Sequence, residues 1–154
     1  MAEASNQVSF MAMALRLAED AARHGEIPVG AMIVDPGAKE ILASAANQTE
    51  ATNDPTAHAE MVAIRAAAAL RGTPRLEGCD LYVTLEPCPM CAQAISFARL
   101  RRLYFGCEDA KGGGVRNGSR IFNQTSCHHR PEVYGGIDET RAADLLRSFF
   151  KSRR

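Results

Sequence analysis

The sequence predicts an α/β domain of three layers, with helices on both faces of a mixed sheet of five strands. Three observations carry that expectation. Two strand-like segments joined by "PGAKE" read as a hairpin, so part of the sheet is antiparallel. After the hairpin, apolar strand patterns alternate with helical ones, which requires crossover connections and parallel neighbours. No internal repeat, linker or shift of composition divides the 154 residues, so residues 1–154 read as a single domain with one core.

Taken in order, Phe10, Met13, Ala14, Leu17, Ala18 and Ala21 recur at steps of three and four, one face of an amphipathic helix that Gly25 ends. Residues 27–35, "IPVGAMIVD", read as a buried strand with Pro28 near its start, and 41–47, "ILASAAN", return as its partner. Residues 48–56, "QTEATNDPT", form a polar loop; Asp54 and Thr56 are candidate caps, and Pro55 suits a first helical turn. Alanine propensity carries the next helix, about 57–70, to a stop at Arg71-Gly72. "CDLYVTL" (79–85) is a strand, "EPCPMCAQAISFARL" opens with prolines and becomes helical, and "RRLYFGC" (101–107) is a strand again. A glycine-rich loop, "EDAKGGGVRNGS", and an irregular stretch, "IFNQTSCHHRP", lead to the short fifth strand in "EVYGG". The last helix starts at Asp138 and carries basic residues in its final turn.

Bulk composition excludes several classes. Eighteen basic residues balance eighteen acidic ones, so nucleic acid could be held only by a local patch. No apolar run approaches the ~20 residues that span a bilayer. The opening "MAEASNQVSF" carries an acid and no signal pattern, so the expectation is a cytoplasmic protein with no membrane partner. Five cysteines, an odd number, argue against a disulfide framework and towards buried thiols, metal ligands or nucleophiles.

The chemistry gathers at two helix starts. In "PTAHAEM", His58 and Glu60 stand two apart, about 200° round a helix, so they do not pair as neighbours. Alone they would read as a cap and a solvated acid. In "PCPMC", Cys88 and Cys91 have the i, i+3 spacing at a helix N-terminus, where free N–H groups and the dipole favour thiolate, the metal-binding form. Pro89 loses nothing there, since its N–H would be unpaired anyway. Two thiolates need a third ligand, and His58 supplies it. Three protein ligands leave a fourth zinc position for water, the pattern of a catalytic rather than a structural site. Glu60 is then free to serve that water.

H-x-E followed by P-C-x-x-C is the signature of zinc nucleobase deaminases. The chain resembles the cytidine-deaminase-like superfamily. "NDPTAHAEM", "LYVTLEPCPMCAQAI", "YFGCEDAKGG" and "LLRSFFKSRR" make it similar to the bacterial tRNA-specific adenosine deaminases over nearly its whole length. That resemblance implies a three-layer α/β/α cytidine-deaminase-like fold with one Zn2+ per chain on His58, Cys88 and Cys91. It implies hydrolysis of adenosine to inosine at the wobble position of a tRNA anticodon, with zinc-activated water attacking C6 and Glu60 as proton shuttle. It further implies a homodimer that binds the anticodon stem-loop, with Asn47 touching the nucleoside. Glu26, Val29 and Pro87 would line the pocket. Asp109 and Lys111 would contact the RNA, and Phe149 or Phe150 a splayed base, while Lys151, Arg153 and Arg154 hold phosphates.

Plainer readings stand beside these. Asn47 is also a turn former, Glu26 a loop acid, Val29 a core residue, and Asp109 and Lys111 a polar turn. The glycines of 112–114 are not a phosphate loop, since no Gly-Lys-Ser/Thr follows. Cys107 stands where the family leads one to expect a smaller residue. Cys127-His128-His129 lacks further ligands at useful spacing and reads as a polar loop. The zinc residues leave a free-base or nucleoside deaminase, of the guanine or cytosine type, as the alternative. A zinc-stabilised RNA-binding module is a second rival, which has no use for Glu60.

Overall fold

The computed structural model describes residues 2–153, with side chains from Phe10 onward. Its elements are α1 (Ala2–Arg23), β1 (Gly30–Asp35), β2 (Glu40–Ala46), α2 (Thr49–Thr52), α3 (Ala59–Arg71), β3 (Asp80–Leu85), α4 (Pro89–Phe97), β4 (Arg102–Cys107), a 3-10 turn (Ile121–Asn123), β5 (Glu132–Tyr134) and α5 (Glu139–Lys151). The strands form one sheet in the order β2-β1-β3-β4-β5. β1 pairs antiparallel with both β2 and β3, whereas β3–β4 and β4–β5 are parallel. The expected mixed five-stranded sheet is therefore present.

Side-chain alternation along the strands divides the core in two. Ile33, Leu81, Val83, Leu103 and Phe105 pack with Ala59, Ala63 and Ala67 of α3 and with Ala92 and Ile95 of α4. Met32, Val34, Tyr82 and Tyr104 pack with Met11, Ala14 and Leu15 of α1 and Ala142 of α5. The small face of α3 lets its backbone lie close to the sheet. Gly30 does the same for α1, because a Cβ there would stand 1.9 Å from the Ala14 carbonyl oxygen. At one end of the sheet, Arg101 closes two hydrogen bonds of 2.9 and 2.7 Å on the buried Asp80 carboxylate.

Several local expectations are corrected. The loop 48–56 contains the single turn of α2, closed by Asn53 in the left-handed region. Asp54 caps a turn rather than α3: its carboxylate accepts from the backbone N–H and the hydroxyl of Thr56, at 2.9 and 2.7 Å. Pro55 precedes the helix, whose N-cap is His58. Asp138 is the residue before α5 but adopts a left-handed conformation and makes no side-chain cap bond; its carboxylate lies 3.9 Å from Arg141 instead. The strand expected over 27–35 begins at Gly30, since Val29 hydrogen-bonds back to Ile27 in a tight turn.

Candidate active site

β3 delivers the chain to the N-terminus of α4, and the loop after β2 delivers it to the N-terminus of α3. Both N-cap residues, His58 and Cys88, have extended backbones and no side-chain cap bond, so their side chains are free to turn inward. Cys91 lies in the first turn of α4. This explains the spacing of His58 and Glu60. The 200° separation holds only within a helix, and His58 is not yet helical.

His58 Nδ1 stands 3.5 Å from Cys88 Sγ and 3.5 Å from Cys91 Sγ. Zinc ligands at about 2.3 Å (sulfur) and about 2.0–2.1 Å (nitrogen) in a tetrahedron would lie about 3.5 Å apart. Nδ1 therefore already stands at zinc-site spacing from both sulfurs, and the three ligand atoms all lie within 4.8 Å of one another. Among the described residues this is the one group of three or more histidine, cysteine and acidic side chains poised to hold a metal. The Cys91 thiol donates to Cys88 and pulls the Cys88 thiol down to about 4, helped by His58; the same bond, with burial, pushes Cys91 up. A metal takes both sulfurs as thiolates.

Glu60 is buried at the N-terminal turn of α3. Burial, with the Cys88 charge nearby, pushes its carboxyl up to about 7. A buried carboxyl at the edge of a metal site can both take and return a proton.

The His58 side chain opens on a cavity of about 500 Å³ that is also lined by Ile27, Asn47, Thr49 and Pro55. That is room for a nucleoside. Asn47 is held by its backbone, its N–H donating to Val29 O at 3.1 Å. Val29 itself belongs to the core under the sheet, and Pro87 is buried with its carbonyl accepting from Gly114 N–H at 2.8 Å. Neither side chain is among those lining the cavity. Glu26 is buried too, its carboxylate turned to Asn47 and to the amides of Glu50 and Ala51.

Two features escaped the sequence reading. Ile27 lines both this cavity and a broader groove of about 1250 Å³ on its far side, so the two adjoin. Asp109, Lys111, Phe150, Lys151 and Arg153 line that groove. The second is Glu86, whose buried carboxylate accepts from the backbone N–H groups of Asp109, Val115, Arg116 and Asn117 and from the Asn117 side chain. Burial would raise its pKa, but these donors outweigh it and hold the carboxyl below the ordinary carboxylate range. The 109–117 loop is thereby tied to the residue two before Cys88. The only sequence signal was an acid at the end of an apolar strand facing a glycine-rich loop.

Asp109 spends its own carboxylate on the amides of Lys111 and Gly112, shaping the turn. Cys107 is buried beside Thr84 and also lines the groove. The Arg153 guanidinium lies 4.5 Å over the Phe149 ring, and Phe150 meets Phe149 edge-on and stays half exposed. Arg154 lies outside the described residues. Cys127 and His129 bond to backbone carbonyls and form no metal cluster with His128.

The cytidine and deoxycytidylate deaminase zinc-binding region matches residues 4–107 of the chain. A tRNA-specific adenosine deaminase of Agrobacterium fabrum is 51% identical over 150 residues, 97% of each chain. One of Rickettsia bellii is 45% identical over 94% of this chain and 99% of its own. A structure solved in studies of A-to-I editing by tRNA:A34 deaminases at the wobble position superposes with a TM-score of 0.87 at 51% identity, covering 90% of this chain and 99% of that one. With its histidine and two cysteines at zinc spacing, the chain belongs to the zinc-binding cytidine and deoxycytidylate deaminase family, on the branch of the tRNA-specific adenosine deaminases.

Proposed function

We propose that the protein converts adenosine to inosine at the wobble position of a tRNA anticodon, consuming water and releasing ammonia. The observation that carries the substrate is the junction at Ile27. It joins a nucleoside-sized cavity over His58 to a groove bearing exposed aromatic and basic side chains. A free base needs only the cavity, whereas an anticodon loop presents flanking nucleotides that need the groove.

His58, Cys88 and Cys91 hold one Zn2+. When bound, zinc lowers the pKa of its water to around 7 and so makes a nucleophile available at neutral pH. Glu60 takes a proton from the attacking water at its carboxylate. It returns that proton to the base at N1, then carries the proton of the new C6 hydroxyl to the amino group, which departs as ammonia as the C6 carbonyl of inosine forms. Asn47 holds the nucleoside. In the groove, Asp109 shapes the turn that presents Lys111. Phe149 or Phe150 contacts an unstacked base, Phe150 being the one that lines the groove, with Lys151 and Arg153 near phosphates. The protein acts as a homodimer, a reading that the exposed Leu70 of α3 and Phe97 of α4 favour.

The test is inosine formation in an anticodon stem-loop RNA with a wobble adenosine, beside free adenine, adenosine, guanine, cytosine and cytidine, with ammonia read in all. The expected result is inosine in the stem-loop and little turnover elsewhere. An inert stem-loop with a free base turned over would replace the substrate and keep the zinc site.

A further inference from the structure

Asn47 is anchored by one end of its amide. Its Nδ2 donates to Glu26 Oε1 at 3.3 Å and to Thr49 Oγ1 at 3.2 Å. A carboxylate only accepts, so the NH2 end must be the one that faces Glu26. The carbonyl oxygen makes no hydrogen bond among the described residues. No unpartnered side-chain oxygen among them is fully buried, so this one keeps some solvent access, on a residue that is 6% exposed and lines the cavity over His58.

Glu26 is 4% exposed and has no cation beside it among the described residues. Its carboxylate is held by neutral donors alone: the Asn47 amide, Glu50 N–H at 3.1 Å and Ala51 N–H at 2.7 Å. Burying an uncompensated carboxylate is costly, and a neutral glutamine could still accept from an amide. A glutamine, however, would also donate, and would then accept either face of the Asn47 amide. The charge is what enforces a single orientation.

We propose that Glu26 is a positioning residue for deamination: its carboxylate fixes the Asn47 amide, and with it the edge of the pocket, without touching the nucleoside. This rests on the reading of the cavity as the adenosine site. A nucleoside held by a wrongly turned amide is misplaced relative to Glu60 and the metal, and small misplacements are expensive in rate.

A double-mutant cycle separates this role from mere support of α2. E26Q, N47A and E26Q/N47A are compared for kcat/KM and kcat on the stem-loop, with zinc content and melting temperature measured for each. With Asn47 present, E26Q should lower kcat/KM roughly tenfold or more. In the N47A background it should change it less than about twofold. Equal losses in both backgrounds would mean that Glu26 acts through the 49–51 turn alone, and would overturn the proposal; so would a harmless E26Q. Should E26Q melt early, T49V removes the other acceptor while leaving the Glu26 bonds to α2 in place, and its smaller loss should likewise vanish in N47A. A wild-type enzyme inert on the stem-loop would unseat the substrate and not this inference. The same cycle would then be read on the free base it turns over.

Discussion

At the scale of single residues, Glu60 is the group on which the reading as an enzyme turns. A structural zinc site has no use for a buried carboxyl at its edge, whereas a hydrolytic one needs a proton carrier. E60Q keeps the size of the side chain and removes its basicity. Turnover should fall at least about 10²–10⁴-fold, the range of a general acid–base, while zinc stays near one per chain by elemental analysis. Loss of the metal in E60Q would instead make Glu60 part of the metal site. His58, Glu60, Cys88 and Cys91 were legible in the sequence because zinc chemistry restricts both the residue types and their spacing. The role of Glu26 was not. Its partners lie 21 to 25 residues away, and no pattern in the sequence joins an acid before one strand to amides beyond the next.

At the scale of elements, the 109–117 loop depends on an anchor that the sequence concealed. Glu86 gathers five N–H donors from it, and a Cβ on Gly113 would stand 2.4 Å from Glu86 Oε2 and 2.5 Å from Asp109 O. The glycine is there for closeness, and not for a phosphate. G113A must push the loop off its carboxylate anchor and move Lys111 in the groove. On the stem-loop, KM should rise roughly tenfold with kcat at saturation little changed, the pattern of lost uniform binding. A fall in kcat at constant KM would place the loop in the chemistry itself. Helix existence was legible from periodicity, yet caps were misassigned at both Asp54 and Asp138. Thr56 captured the Asp54 side chain, and Asp138 adopts a left-handed backbone in place of the extended one usual for a cap.

At the scale of the molecule, the hairpin and the alternation of strands with helices announced three layers, but neither the strand order nor the division of the core in two. The antiparallel neighbours β1 and β3 are separated in the chain by β2, α2 and α3, and only packing brings them together. What packing leaves uncovered is equally informative. Among the described residues Phe97 of α4 and Leu70 of α3 are the most exposed large apolar side chains, at 73% and 62%. They sit on the two helices of one layer, the same two whose N-termini carry the metal ligands. A homodimer covering that layer would bury apolar area near the C-terminal ends of both helices, at the opposite ends from the metal ligands. Stable interfaces take about 1,200–2,000 Å² in total, and an aromatic near the centre commonly carries much of the affinity. F97D places a charge where such a contact would be dry, while altering a side chain the monomer leaves in water. If the protein dimerises through this layer, the wild type should sediment as a dimer and F97D as a monomer, with zinc content preserved. A variant that sediments as a dimer would move the interface away from α4.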